Sequence, residues 1–286
     1  RLALGMEATT VREGYELWRP NREKPEARMT KAIVTLVLLV SAALLLIAVG
    51  CADLLRRLST RQWLPLAAGP VVAVGTAALC GLWHPGDLVL VGIAAVAAAA
   101  WEWSCTRAER IGGPRQALPL VLFVAVLLVL ILLSGLGSSV SGVVEAWSGW
   151  VRVPGLDSVD PTRIVMVLGV VLLQLVTGNQ LVRLLLGSVG AVKPAGQPQA
   201  SDRLRGGRLL GPMERLLILG LSMAGQLAAA TAVAAAKSII RFPEINAQKV
   251  RENGGIGIDD VTEYFLVGSF ASWIVALGGL APTLPN

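Results

Sequence analysis

Arg215, Gln226 and Lys237 stand eleven residues apart in one long apolar run. Eleven residues make close to three whole turns of an α-helix, so in an unbroken helix the three share one stripe. Ser222 lies between the first two, Gln226 falls near mid-membrane, and Arg241 lies one turn beyond Lys237. Glu263 opens the next apolar run and meets Lys237 or Arg241 if the two helices pair. Two chemistries fit such a stripe. It can line a polar path or ligand site between the helices. It can instead be a ladder of hydrogen bonds that fixes helix pairing, each worth about 1 kcal/mol or less in lipid. The stripe is narrow, because it also carries Ala230 and Val233, and that favours the ladder. A second polar group, Gln174, Thr177, Asn179, Gln180 and Arg183, sits in the preceding run. Asn179 and Arg183 are four apart and share a helix face. If this span runs past Val176, the group faces the bundle interior, where polar residues are costly. If it ends there, the group is an interfacial helix end with a snorkelling arginine. Both readings stand.

Nothing else in the chain has reactive spacing. No catalytic triad, acid–base pair, phosphate loop or metal-ligand spacing is present, so no catalytic, cofactor-binding or metal residue is assigned. His84 is the only histidine, and Cys51, Cys80 and Cys105 form no CxxC pair. Intramembrane proteolysis needs paired aspartates or a Ser/His pair within spans. Asp53, Asp87, Asp157, Asp160, Asp202, Asp259 and Asp260 all read as ends or loops. Ala48-Val49-Gly50-Cys51 has the outline of a lipoprotein signal. Ala48 stands where leucine is usual and Arg56-Arg57 follow closely, so an uncleaved first helix is the better reading.

These residues must be positioned by lipid-embedded helices. Of 286 residues, 54% are apolar and 15% charged, against about a quarter charged in soluble domains. Seven apolar runs follow one another: Ala32–Leu55, Leu64–Trp83, Leu88–Trp103, Ala117–Leu136, Ile164–Val189, Met213–Lys237 and Val261–Ala281. Each approaches the 20 or so residues that span a bilayer. Backbone groups in lipid must be bonded within the segment, so the fold class is an all-α, polytopic integral membrane protein of about seven transmembrane helices. The net charge of +6 lies in the gaps between runs, where it meets anionic headgroups rather than nucleic acid.

The division expected is a polar N-terminal extension, poorly ordered, over 1–28; a five-helix region over 29–190; a flexible Pro/Gly linker over 191–210; and a two-helix region over 211–286. Met29 has the look of a start residue, which makes 1–28 an upstream extension or a piece of an incomplete frame. The segment 138–160 carries Trp147 and Trp150 three apart and reads as a short interfacial helix. Helix starts are marked by Asp160-Pro161, by Gly211-Pro212 with Glu214, and by Asp259-Asp260. His84-Pro85-Gly86-Asp87 reads as a tight turn. Counted from Met29, the basic residues place the C-terminus in the cytoplasm; counting the first 28 residues reverses that. Intramembrane polarity is expected almost entirely in helices five to seven.

The C-terminal block resembles bacterial membrane proteins of the "domain of unknown function 3307" class. The residues that carry the likeness are Gly211-Pro212-Met213-Glu214-Arg215, Gln226, Ala235-Ala236-Lys237-Ser238-Ile239-Ile240-Arg241-Phe242 and Glu263-Tyr264-Phe265-Leu266-Val267-Gly268-Ser269. They cover about a quarter of the chain. Gly268-Ser269 stands where that class often has Gly-Thr, and its early His and Asp are not matched. The resemblance implies a bacterial cell (inner or plasma) membrane location and carries no activity. The Ala- and Val-rich early helices have an actinobacterial cast. The function expected is non-enzymatic: a transport or permeation component, or a membrane-complex scaffold, with lipid, membrane-protein partners or further copies of itself as its contacts. The alternative is a membrane-embedded enzyme acting on lipid.

Overall fold

In a computed structural model, the structure describes residues 25–61, 63–151, 159–191, 207–236, 239 and 258–283. It falls into two units, Arg1–Thr35 and Leu36–Asn286. Of the first, the helical backbone from Pro25 onward is described; the rest concerns the second. The expected extension over 1–24, most of the linker over 192–206, and Lys237 and Arg241 lie outside the described residues, as does the Glu263 side chain.

All regular structure among the described residues is helical: α1 (Pro25–Leu58), α2 (Trp63–Leu79), α3 (Pro85–Ile111), α4 (Ala117–Leu133), α5 (Gly142–Trp150), α6 (Pro161–Ser188), α7 (Gly207–Met223), α8 (Leu227–Ala236) and α9 (Ile258–Leu280). Single 3-10 turns flank α4 and follow α9. Four helical stretches are long and apolar enough to cross a membrane: Pro85–Ile111, Gly113–Leu136, Pro161–Ser188 and Tyr264–Thr283. α2 and α8 are apolar but shorter.

α1 is the central element. Every residue from Val40 to Gly50 is buried, on all faces of the helix. A helix apolar all round belongs in a core. Its small residues permit this: a Cβ placed on Gly50 would stand 2.8 Å from Leu172 Cβ of α6, and the Ser41 hydroxyl donates to the Leu130 carbonyl of α4 at 3.2 Å. α2 packs on α3 just as closely, with Gly69 against Ala98. α4 is the opposite case. Leu118, Val121, Val124, Leu128 and Leu132 are all exposed along it. A contiguous apolar face of that kind is a lipid-facing or partner-facing surface. Both helices are apolar in sequence; hydropathy alone cannot tell a buried apolar helix from an exposed one.

Helix ends agree with the sequence at some places and depart at others. Asp160 caps α6 as expected, its carboxylate accepting the Thr162 amide at 2.7 Å with Pro161 at the first helical position. The tight turn expected at 84–87 is instead the start of α3: the His84 amide donates to the Asp87 carboxylate, and Ser138 donates to it from amide and hydroxyl at 2.7 and 2.6 Å. α7 starts at Gly207, so Pro212 lies inside it rather than at its first position. α9 begins at Ile258, which puts Asp259 and Asp260 in its first turn. The expected short helix at 138–160 is α5, on which Val143, Trp147 and Trp150 are all exposed.

The sixth apolar run is not one helix. α7 ends at Met223, Gly225 takes a φ of +75°, and α8 starts at Leu227. The Gly225 amide donates to the Ser222 carbonyl and the Gln226 amide to the Leu221 carbonyl, at 3.0 and 2.8 Å. This is a Schellman ending, in which glycine supplies the left-handed residue that other side chains resist. The stripe joining Arg215, Gln226 and Lys237 needs an unbroken helix and does not form across this ending.

Candidate functional site: a buried arginine at a π segment

Midway along α6 the helix widens into a π segment over Leu173–Thr177. Such insertions shift carbonyls off the regular ladder and recur at functional sites. Two carbonyls of this segment are taken by arginines from other helices. Gln174 O accepts Arg215 Nε at 3.1 Å and Nη2 at 2.9 Å. Val176 O accepts Arg57 Nη2, from α1, at 2.7 Å.

Arg215 is only 1% exposed, the largest charged side chain so fully enclosed among the described residues. Its Nη2 also donates to Asn179 Oδ1 at 2.6 Å, and its Nη1 to Ser272 Oγ of α9 at 3.1 Å. All three guanidinium nitrogens are therefore bonded to protein, and α6, α7 and α9 meet on one residue. Arginine suits this role because its donors form a rigid planar fork on a delocalised charge. Gly178 makes room: a Cβ there would stand 2.9 Å from Arg215 Nε. Gln174 completes the tie, its amide donating to the Val275 carbonyl of α9 at 3.0 Å. A Cβ on Gly279 would run into that same amide. Beside Arg215, Glu214 is buried and accepts from Trp273 Nε1 at 2.9 Å.

The sequence-expected residues divide as follows. Arg215 and Asn179 come together, and Gln174, Thr177 and Gln180 of the second polar group are buried, since α6 continues to Ser188. Arg183 is exposed on the same helix, and Gln226 is exposed at the α7–α8 break. Lys237, Arg241 and the Glu263 side chain are outside the described residues.

Sequence reasoning missed a second polar group on the other side of the π segment. Asp53 is 1% and Glu102 3% exposed. Asp53 Oδ1 accepts Arg56 Nη2 at 2.6 Å and Trp101 Nε1 at 3.3 Å, and Arg56 Nη1 lies 3.7 Å from Glu102 Oε2. About two turns beyond Glu102 on α3, Glu109 Oε1 accepts from Gln180 at 2.8 Å. The available signal is Asp53, Arg56 and Arg57 at helical spacing, which charges at the end of an apolar run also show. Buried polarity is thus not confined to the later helices, contrary to the expectation for helices five to seven. Among the described residues, no group of three His, Cys, Asp or Glu could hold a metal ion. No family model, curated protein or solved structure matches the chain.

Proposed function

We propose that this chain is a multi-pass protein of a bacterial cell membrane, with about seven spans, that works as a non-enzymatic scaffold in a membrane complex. The observation that carries the reading is the closure of Arg215. Each of its three nitrogens donates to an oxygen of α6 or α9, and the side chain is 1% exposed, so the guanidinium is spent on holding helices together rather than on facing a solute. The exposed apolar face of α4 supplies surface for lipid or a protein neighbour. The two exposed tryptophans of α5 fit a headgroup-level position. Glu214 and Arg215 are also among the residues behind the resemblance to the "domain of unknown function 3307" class.

Transport keeps one observation in its favour, the buried carboxyls Asp53 and Glu102. An enzyme acting on lipid would need reactive groups converging on an open cavity, and the Arg215 site supplies neither.

The test is extraction from membranes in a mild detergent, with size measured on native gels and after crosslinking. The scaffold reading expects an assembly larger than the 30.0 kDa chain, which Arg215→Met reduces together with the melting temperature. A monomeric wild type, with Arg215→Met melting unchanged but solute flux into proteoliposomes abolished, would establish transport instead.

A further inference from the structure

Every nitrogen of Arg215 has an acceptor, whereas Asp53 and Glu102 each keep one oxygen unmatched. Asp53 Oδ2 and Glu102 Oε1 are buried and have no hydrogen-bond partner. The two carboxyl groups nevertheless stand within hydrogen-bonding reach of each other. Thr177, from the π segment, faces Asp53. It is 1% exposed, and its hydroxyl has no partner of good geometry either.

The charges around the pair come from three helices. α1 supplies Arg56, at 22% side-chain exposure, and Arg57, which is directed at the Val176 carbonyl. α3 supplies the buried Cys105 and the half-buried Glu109, the latter occupied by Gln180 of α6. Three carboxyls thus face two guanidiniums. Ionised carboxylates are acceptors only, so two of them facing each other have lone pairs and like charge to offer. Arg56 is nearer to Asp53 than to Glu102, at 2.6 against 3.7 Å, and leaves the second carboxylate poorly compensated. One proton resolves this, because a carboxylic acid donates to a carboxylate.

We propose that Asp53 and Glu102 form a proton-binding site within the bundle, one proton being held between Asp53 Oδ2 and Glu102 Oε1. Binding forms one O–H bond, removes one negative charge and moves no electrons. Arg56 balances the charge that remains, and Thr177 donates its hydroxyl proton to the pair. The site goes beyond the scaffold reading and does not rest on it. It gives the chain a place where a membrane proton can be taken up or released.

Infrared difference spectroscopy of the full chain in lipid, in H₂O and in D₂O, tests it. The wild type is expected to show a protonated-carboxyl C=O band that shifts on deuteration. Asp53→Asn and Glu102→Gln should each remove it, since either leaves a single carboxyl beside Arg56. A wild type without the band means two ionised carboxylates bridged by water or a cation, and overturns the proposal. A band surviving unchanged in one variant assigns the proton to a single residue and overturns it also. Should both variants fail to fold, the near-isosteric Thr177→Val decides. It keeps the band and shifts its frequency if Thr177 donates to a shared proton, and an unshifted band contradicts the arrangement.

Discussion

Arg215 and Arg56 are both guanidiniums enclosed by helices, and they meet opposite kinds of partner. Arg215 is bonded to a backbone carbonyl, an amide oxygen and a hydroxyl, none of which titrates between acid and neutral pH. Arg56 lies between two carboxyls, and its Nη1 has no partner of hydrogen-bonding geometry. In the first arrangement every guanidinium nitrogen has an acceptor and the charge is spread over neutral dipoles, with the amide oxygen Gln174 Oε1 the unpartnered atom beside it. The second has more acceptors than donors, and its charge balance depends on a proton. The π segment of α6 separates them, with Gln174 O turned to one side and Val176 O and Thr177 to the other. A buried polar group therefore acts as a fastening when it is fully matched and as a binding site when it is one proton short.

The largest expected effect comes from breaking each arginine in turn. Arg215→Met leaves the Gln174 carbonyl, Asn179 and Ser272 without their charged donor. Three acceptors left bare at about 1 kcal/mol each amount to about 3 kcal/mol of lost stability. Arg56→Met strands two buried carboxyls and should cost about as much or more at neutral pH, since uncompensated buried charge is the expensive case. The variants should separate on acidification. Falling pH protonates the carboxyls and restores the Arg56 variant, while the Arg215 variant, whose bare acceptors do not titrate, recovers little. Denaturation in mixed micelles across a pH series reads both, and identical pH dependence would erase the distinction.

Gly178→Ala comes next. The added methyl would stand 2.9 Å from Arg215 Nε, in a place with no slack. Overpacking of this kind costs about 1–3 kcal/mol, and here it should lower the melting temperature without altering the carboxyl infrared band.

The difference between the two regions also explains what the sequence could disclose. The apolar runs, the Asp160 cap and the short helix carrying Trp147 and Trp150 follow from local pattern. The joining of Arg215 to Asn179 does not: residue spacing sets Asn179 beside Arg183 and Arg215 in line with Gln226, and only the packing of α7 on α6 brings the two together. The break at Gly225 was hidden: glycine is tolerated in transmembrane helices, and only the backbone shows that this one turns left-handed. The Asp53–Arg56–Glu102 group was hidden for a different reason. Its residues lie near the ends of their apolar runs, where charge is ordinarily solvated, and only the packing of α3 and α6 around α1 encloses them. The π segment leaves no mark in residue types.

Smaller effects sharpen the picture. Gly225→Ala should cost about 1 kcal/mol, the penalty for a side chain in the left-handed region, by disturbing the end of α7. Gln226→Leu, at an exposed site beyond that ending, should stay within about 0.5 kcal/mol in either direction. A large loss from Gln226→Leu would mean that the residue is enclosed in the assembled protein, on the face where α7 meets α8.

The most direct measurement of the account is a pair of double-mutant cycles, read by denaturation in mixed micelles at neutral pH. Arg215→Met combined with Asn179→Ala should be non-additive by about 1 kcal/mol, because both act on one network. Arg215→Met combined with Arg56→Met should be additive within a few tenths of a kcal/mol, because the two networks share no side-chain partner. Additivity in the first cycle, or strong coupling in the second, would contradict the separation of a closed fastening from an open proton site.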